Sequence, residues 1–186
     1  MRLLTILFAL TFALPLWATE MGDDGLHKPD WIRTTFKDMR EDLAEANVEG
    51  RRMVLIFEQR GCIYCTKMHT EVFPQPEIAK LIEDNYFVVQ MNLFGDEEVT
   101  DFDGTVLPEK QMAMRWGVVF TPTMLFMPEQ VTDDQTAGQA AVMTMPGAFH
   151  VGTTMDLLSF VVEKGYEGDE HFQKYHARKI KERNAQ

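Results

Sequence analysis

Cys62 and Cys65 are the only cysteines of the chain, three positions apart in the run Arg60-Gly61-Cys62-Ile63-Tyr64-Cys65. A scaffold stapled by disulfides would carry more cysteines, spread widely along the sequence. A bridge between residues this close closes a very small loop and removes little chain entropy from the unfolded state. The pair therefore suits reversible chemistry: one thiolate attacks a disulfide in a partner, and the second displaces the mixed disulfide so formed. Haem attachment would need a histidine directly after Cys65, where Thr66 stands. A structural zinc site would need four ligands. His69 follows Cys65 by four residues, but His150, His171 and His176 are scattered. His69 is accordingly expected to be a surface or internally satisfied helix residue, and no metal ligand is assigned. The rival reading is a metal-binding or copper-delivery protein using both thiolates, with His69 or some of the 13 methionines, although thioethers more often fill cores. A third is a peptide-binding module without turnover.

Such chemistry needs Cys62 at the start of a helix, where unpaired amides and the positive dipole end stabilise a thiolate. The flanking sequence supplies this. Met53-Val-Leu-Ile-Phe57 is a continuous apolar run that reads as a buried central strand. Gly61 permits a tight turn off it. A helical pattern then runs through Met68, Val72, Ile78, Leu81 and Ile82, and Pro74 and Pro76 should break it midway. Tyr86–Met91 and Pro122–Met127 read as two further strands, and residues 142–149 contain a fourth. Thr121-Pro122 opens the third strand, where a missing amide donor is tolerated.

The remaining elements frame these. Trp31, Ile32, Phe36, Met39, Leu43 and Ala46 predict a helix over 31–47 with Asp30 as its N-cap. A short helix is expected over 108–116. Thr153-Thr-Met-Asp156 resembles a capping box before Leu157, with Gly165 as the C-cap. The tail from Asp169 reads as a docked helix, and the acidic stretch 95–109 as a solvated loop lacking the spacing of an EF-hand. The fold class is α/β: a central mixed sheet of about four strands flanked by helices, begun by a βαβ unit and closed by an antiparallel pair.

Arg2, the apolar run Leu3–Trp17 and Ala18 have the layout of a secretory signal peptide. The run is short for a spanning helix and is interrupted by Pro15. The expected organisation is a signal peptide over 1–18, a linker over 19–30, the main domain over 31–165 and a helical extension over 166–186. A net charge of −11 disfavours nucleic acid as a partner.

Together, the βαβ start, the CxxC at a helix N-terminus and the Thr-Pro-Thr opening a later strand resemble the thioredoxin superfamily over residues 31–165. More narrowly, FEQRGCIYCTKMH, FTPTMLFM, PGAF and KGYEGDEHFQKY resemble the periplasmic SoxW-type thioredoxin-like proteins associated with bacterial sulfur oxidation. The resemblance implies a thiol–disulfide oxidoreductase in the periplasm with Cys62 and Cys65 as catalytic residues and no cofactor beyond their redox-active disulfide. It also implies a cis Pro122, and substrate contacts at Thr121, Pro122, Ile63 and Tyr64. Implied partners are disulfide-containing proteins and a membrane thiol electron donor of the CcdA/DsbD type. Two departures stand out. Ile63-Tyr64 replaces Gly-Pro between the cysteines, and Ile56 occupies the position of the family's buried acid, which is thought to assist proton transfer from the second cysteine. Glu58, with the same strand parity, either substitutes for that acid or sits exposed at the strand end.

Overall fold

The structure, a computed structural model, describes residues 20–185; the expected signal peptide lies outside them. The central strand is β2 (Arg52–Glu58), buried along six of its seven residues. It pairs in parallel with β3 (Tyr86–Asn92) and antiparallel with β6 (Thr123–Phe126). β7 (Met143–Pro146) extends the sheet antiparallel to β6, and a two-residue β1 (Ile32–Arg33) adds a parallel edge to β3. The order β1-β3-β2-β6-β7 makes a mixed sheet with one more strand than the apolar runs predict.

Alternate residues of β2 serve opposite faces. Met53, Leu55 and Phe57 pack with Met39 and Leu43 of α1 (Met39–Val48) and with Met112 of α4 (Glu109–Arg115). Val54 and Ile56 pack on the other side with Met68, with Ile78 of α3 (Pro76–Asn85) and with Leu157 of α6 (Val151–Val162). Met124, Met127 and Met145 are buried as well, while Met114 is exposed. These methionines fill the core in the main, as thioethers do.

Several expectations are corrected. The first helix begins at Met39, eight residues later than the pattern predicts, with Asp38 accepting from the amides of Arg40 and Glu41 at 3.0 and 3.2 Å. Trp31 and Ile32 do serve the core, but from a sheet edge, and Phe36 lies on the surface. Residues expected as a linker fold down instead: Met21 bridges His27, and Leu26 and His27 are buried. The acidic stretch 95–109 contains a hairpin of β4 (Glu98–Thr100) and β5 (Val106–Pro108), with Asp101 and Glu109 buried. Asp156 lies inside α6, where Arg183 and His176 of α7 (Phe172–Asn184) hold its carboxylate at 2.5 to 2.9 Å. The helix therefore starts earlier, at Val151, and Thr153 is no cap. A reciprocal capping box forms elsewhere, between Thr136 and Gln139 at α5 (Ala137–Ala140).

One buried acid gives the fold a pH dependence. Asp42 of α1 accepts from Thr35 Oγ1 at 3.0 Å. Burial pushes its pKa up to about 6 against the Thr35 bond, helped by Asp38, Glu45 and Glu41. A carboxyl whose folded pKa exceeds its unfolded value holds its proton longer in the folded state, so its ionisation costs stability as pH rises from about 4 to about 6. Asp42→Asn removes the charge and keeps an acceptor for Thr35. Its stability relative to wild type, from urea unfolding, is expected to be clearly higher at pH 7 than at pH 4. An equal offset at both pH values would refute this assignment.

Candidate active site: the Cys62–Cys65 disulfide

From β2 the chain turns through Gln59, Arg60 and Gly61, the last at φ 71°, a left-handed conformation that glycine adopts without a Cβ clash. Cys62 is then the N-cap of α2 (Ile63–Lys67), with extended backbone angles. The helix continues without a break into a π-helical turn over Met68–Val72. It ends before Pro74, and Pro76 opens α3, so the two prolines divide the pattern as their chemistry requires.

Cys62 and Cys65 are disulfide-bonded, with Cα atoms 5.2 Å apart. The Cys65 amide points at Cys62 Sγ from 3.0 Å, one of the free donors of the first helical turn. Such a donor stabilises a thiolate there when the pair is reduced. Cys65 lies deeper, at 1% exposure against 8% for Cys62. Of the two sulfur-bearing residues, Cys62 is therefore the nearer to the surface. Across the site the Thr121–Pro122 peptide bond is cis, and Thr121 Oγ1 donates to Cys62 Sγ at 3.2 Å. Ile63 and Tyr64 are exposed, as are Val119 and Phe120 next to Thr121. The fold thus gathers Cys62, Cys65, Thr121 and Pro122 from two distant stretches of chain. Arg60 points away from the sulfurs: its guanidinium donates to the carbonyls of Asp23 and Asp24.

Behind the helix lies a polar cluster that the sequence pattern does not reveal. Glu58 is fully buried, which overturns the reading of it as an exposed strand end. Its Oε1 shares a 2.7 Å hydrogen bond with Nε2 of His69, and its Oε2 accepts from Gln90 Nε2 at 2.6 Å. Gln90 also bonds the His27 carbonyl and accepts from Lys28 Nζ. The His69 ring stacks on His27, with centroids 4.3 Å apart, and on Trp31 at 5.9 Å, with both interplanar angles 2°. Burial holds the pKa of His27 below its usual value, and a charge on neighbouring His69 pushes it the same way, against Glu58. His27, Gln90 and Trp31 carry no local sequence signal, because each meets Glu58 or His69 only through tertiary packing.

By residue type, His27, Glu58 and His69 could bind a metal, and their donor atoms lie within 4.8 Å of one another. The imidazole planes, however, are parallel and separate. Imidazole lone pairs lie in the ring planes, and here the two planes are stacked in parallel with centroids 4.3 Å apart, while Glu58 holds His69 Nε2. His69 Nε2 is also engaged by Glu58 and is not offered to the cysteine sulfurs.

The thioredoxin-like domain family matches residues 39–138, more than half of the chain. The chain belongs to the thioredoxin-like family. No curated protein sequence matches it. Among solved structures, this thioredoxin-like protein is similar to a thioredoxin-fold protein from Helicobacter pylori, with 15% identity and a TM-score of 0.58 over 82% of this chain and 94% of that one. It is also similar to a thioredoxin from Thermus thermophilus, with 24% identity and a TM-score of 0.53 over 69% and 86% of the two chains. A CxxC pair at disulfide distance in this fold points to thiol–disulfide oxidoreductase activity.

Proposed function

We propose that this protein is a reductase of disulfides in proteins outside the cytoplasm, of the SoxW-like kind, re-reduced by a membrane thiol donor of the CcdA/DsbD type. The observation that carries this reading is the placement of Cys62: N-cap of α2, bonded to a deeper Cys65, with Thr121 against its sulfur. Cys62 as thiolate attacks a substrate disulfide, forming a mixed disulfide and expelling one substrate thiolate. Cys65, once deprotonated, attacks Cys62 Sγ, and the second substrate thiolate leaves. The substrate gains two electrons and two protons, and the protein becomes the disulfide. No organic cofactor enters this cycle.

Substrate contact falls to Ile63, Tyr64, Thr121 and Pro122. Beyond them a groove of 830 Å³ is lined by Leu93, Phe94, Leu107, Met114 and Val119 among others. An apolar groove of this kind suits an extended, partly unfolded chain, whose buried disulfides and apolar side chains are exposed together. Export by the segment 1–18 would place the protein where such disulfides form.

Direction is tested by the reduction potential of the Cys62–Cys65 couple, equilibrated against glutathione or dithiothreitol. A reductase is expected to lie below about −200 mV, toward the value of thioredoxin at about −270 mV. A potential near about −120 mV, typical of a strong oxidant, would reverse the assignment.

A further inference from the structure

We propose that His69 relays the Cys65 proton from Glu58 into a solvent cavity behind the active-site helix, keeping the resolving step open while a substrate covers Cys62. The inference rests on the oxidoreductase reading above and extends it to a residue and a cavity outside the sulfur-bearing face.

Cys65 is 1% exposed, so its proton has no direct exit to solvent. Glu58 ends β2 four residues before Cys62, and Cys65 and His69 lie one turn apart on the buried side of one helix. The Glu58–His69 bond therefore joins the strand end to the helix turn next to Cys65. Gln90 fixes the second oxygen of Glu58. His27 and Trp31 each stack in parallel with the His69 ring and so restrict its plane.

His69, itself 2% exposed, lies in the wall of a cavity of 310 Å³, which Trp31, Phe73 and Ala79 also line. The charged groups at that cavity are Glu20, Lys28, Asp30 and Glu83, and the titratable groups against His69 itself are Glu58 and His27. None of the cavity residues is Ile63, Tyr64, Thr121 or Pro122, so a substrate docked there leaves it clear. The step balances: the Cys65 S–H bond breaks and its proton passes to Glu58, from Glu58 to His69, and from His69 to water in the cavity. The resulting thiolate forms the bond to Cys62 Sγ as the substrate sulfur leaves with the electron pair of the broken bond. His69 acts through Glu58 and does not touch the sulfurs.

The test follows the fully reduced protein reacting with Ellman's reagent. Attack by Cys62 releases the first thionitrobenzoate and resolution by Cys65 the second, so the two steps appear as separate absorbance phases. His69→Gln keeps a hydrogen-bonding group toward Glu58 but cannot carry a proton. It is expected to leave the first phase at the wild-type rate, to slow the second at least about ten-fold, and to change the pH profile of the second alone. A second phase with wild-type rate and pH profile would overturn the relay, and so would equal slowing of both phases. If His69→Gln fails to unfold cooperatively, Ala79→Phe, which fills the cavity without touching Glu58, takes its place. It is expected to slow only the second phase, and an unaltered second phase would again overturn the relay. Absence of the first phase in the wild-type protein would sink the oxidoreductase reading itself.

Discussion

Replacing Cys62 by Ser is expected to lower dithiothreitol-coupled insulin reduction by at least about a thousand-fold, to the rate of dithiothreitol alone. A hydroxyl stays protonated where a thiol at a helix N-terminus ionises, and oxygen cannot form the mixed disulfide through which the reaction passes. Cys65 cannot take over, because it is buried beneath its partner and Thr121 sits against Cys62, not against it. Cys65→Ser should behave differently. The first attack survives and the resolving thiol is missing, so covalent complexes with substrate proteins accumulate and run as larger bands on a non-reducing gel. A Cys62→Ser protein retaining even a tenth of wild-type turnover would end the mechanism.

Asp101→Ala should be the most damaging change away from the sulfurs, costing about 3–5 kcal/mol of unfolding free energy. Asp101 is fully buried and organises three elements at once. Its Oδ2 accepts from the Trp116 indole at 2.7 Å, and its Oδ1 from the amides of Phe102 at 2.8 Å and Ala137 at 2.9 Å. The first bond ties the acidic hairpin to the end of α4, and the last caps the start of α5. Removing the carboxylate strands three buried donors, and a loss of this size is a large part of the roughly 5–15 kcal/mol that holds a domain folded. Asp103 offers the control. It pairs with Arg115, a bond that holds its pKa well below the carboxylate range, but it lies near the surface. Ion pairs of that kind contribute up to about 1 kcal/mol, so Asp103→Ala should shift the urea midpoint far less. Equal midpoints for the two variants would refute the assignment.

The contrast between these two acids shows where local pattern stops being informative. Asp101 and Asp103 stand in one acidic stretch and look alike in sequence, yet one is buried and the other is not. What separates them is Trp116 and the amide of Ala137, fifteen and thirty-six residues away. Glu58 repeats the lesson. Strand parity puts it on the face of Ile56, but whether that face ends in solvent or under a helix depends on His69 and Gln90. The helix over 31–47 went astray for a related reason. Apolar residues at Trp31 and Ile32 fit a helical period by chance of spacing, while their partners lay on β3 and His69.

By itself the sequence determined the central strands, the proline-divided helix pair and the relation of the two thiols. Each of these depends on residues adjacent or one turn apart, whose geometry backbone sterics already restrict. Tertiary structure alone decided which polar groups are buried. It stacked His69 against His27 and Trp31, opened the cavity beside it, and set Thr121 against a sulfur 59 residues away. Burying an acid is tolerable only when distant donors meet it. That meeting is a property of the packed chain, and no run of consecutive residues records it.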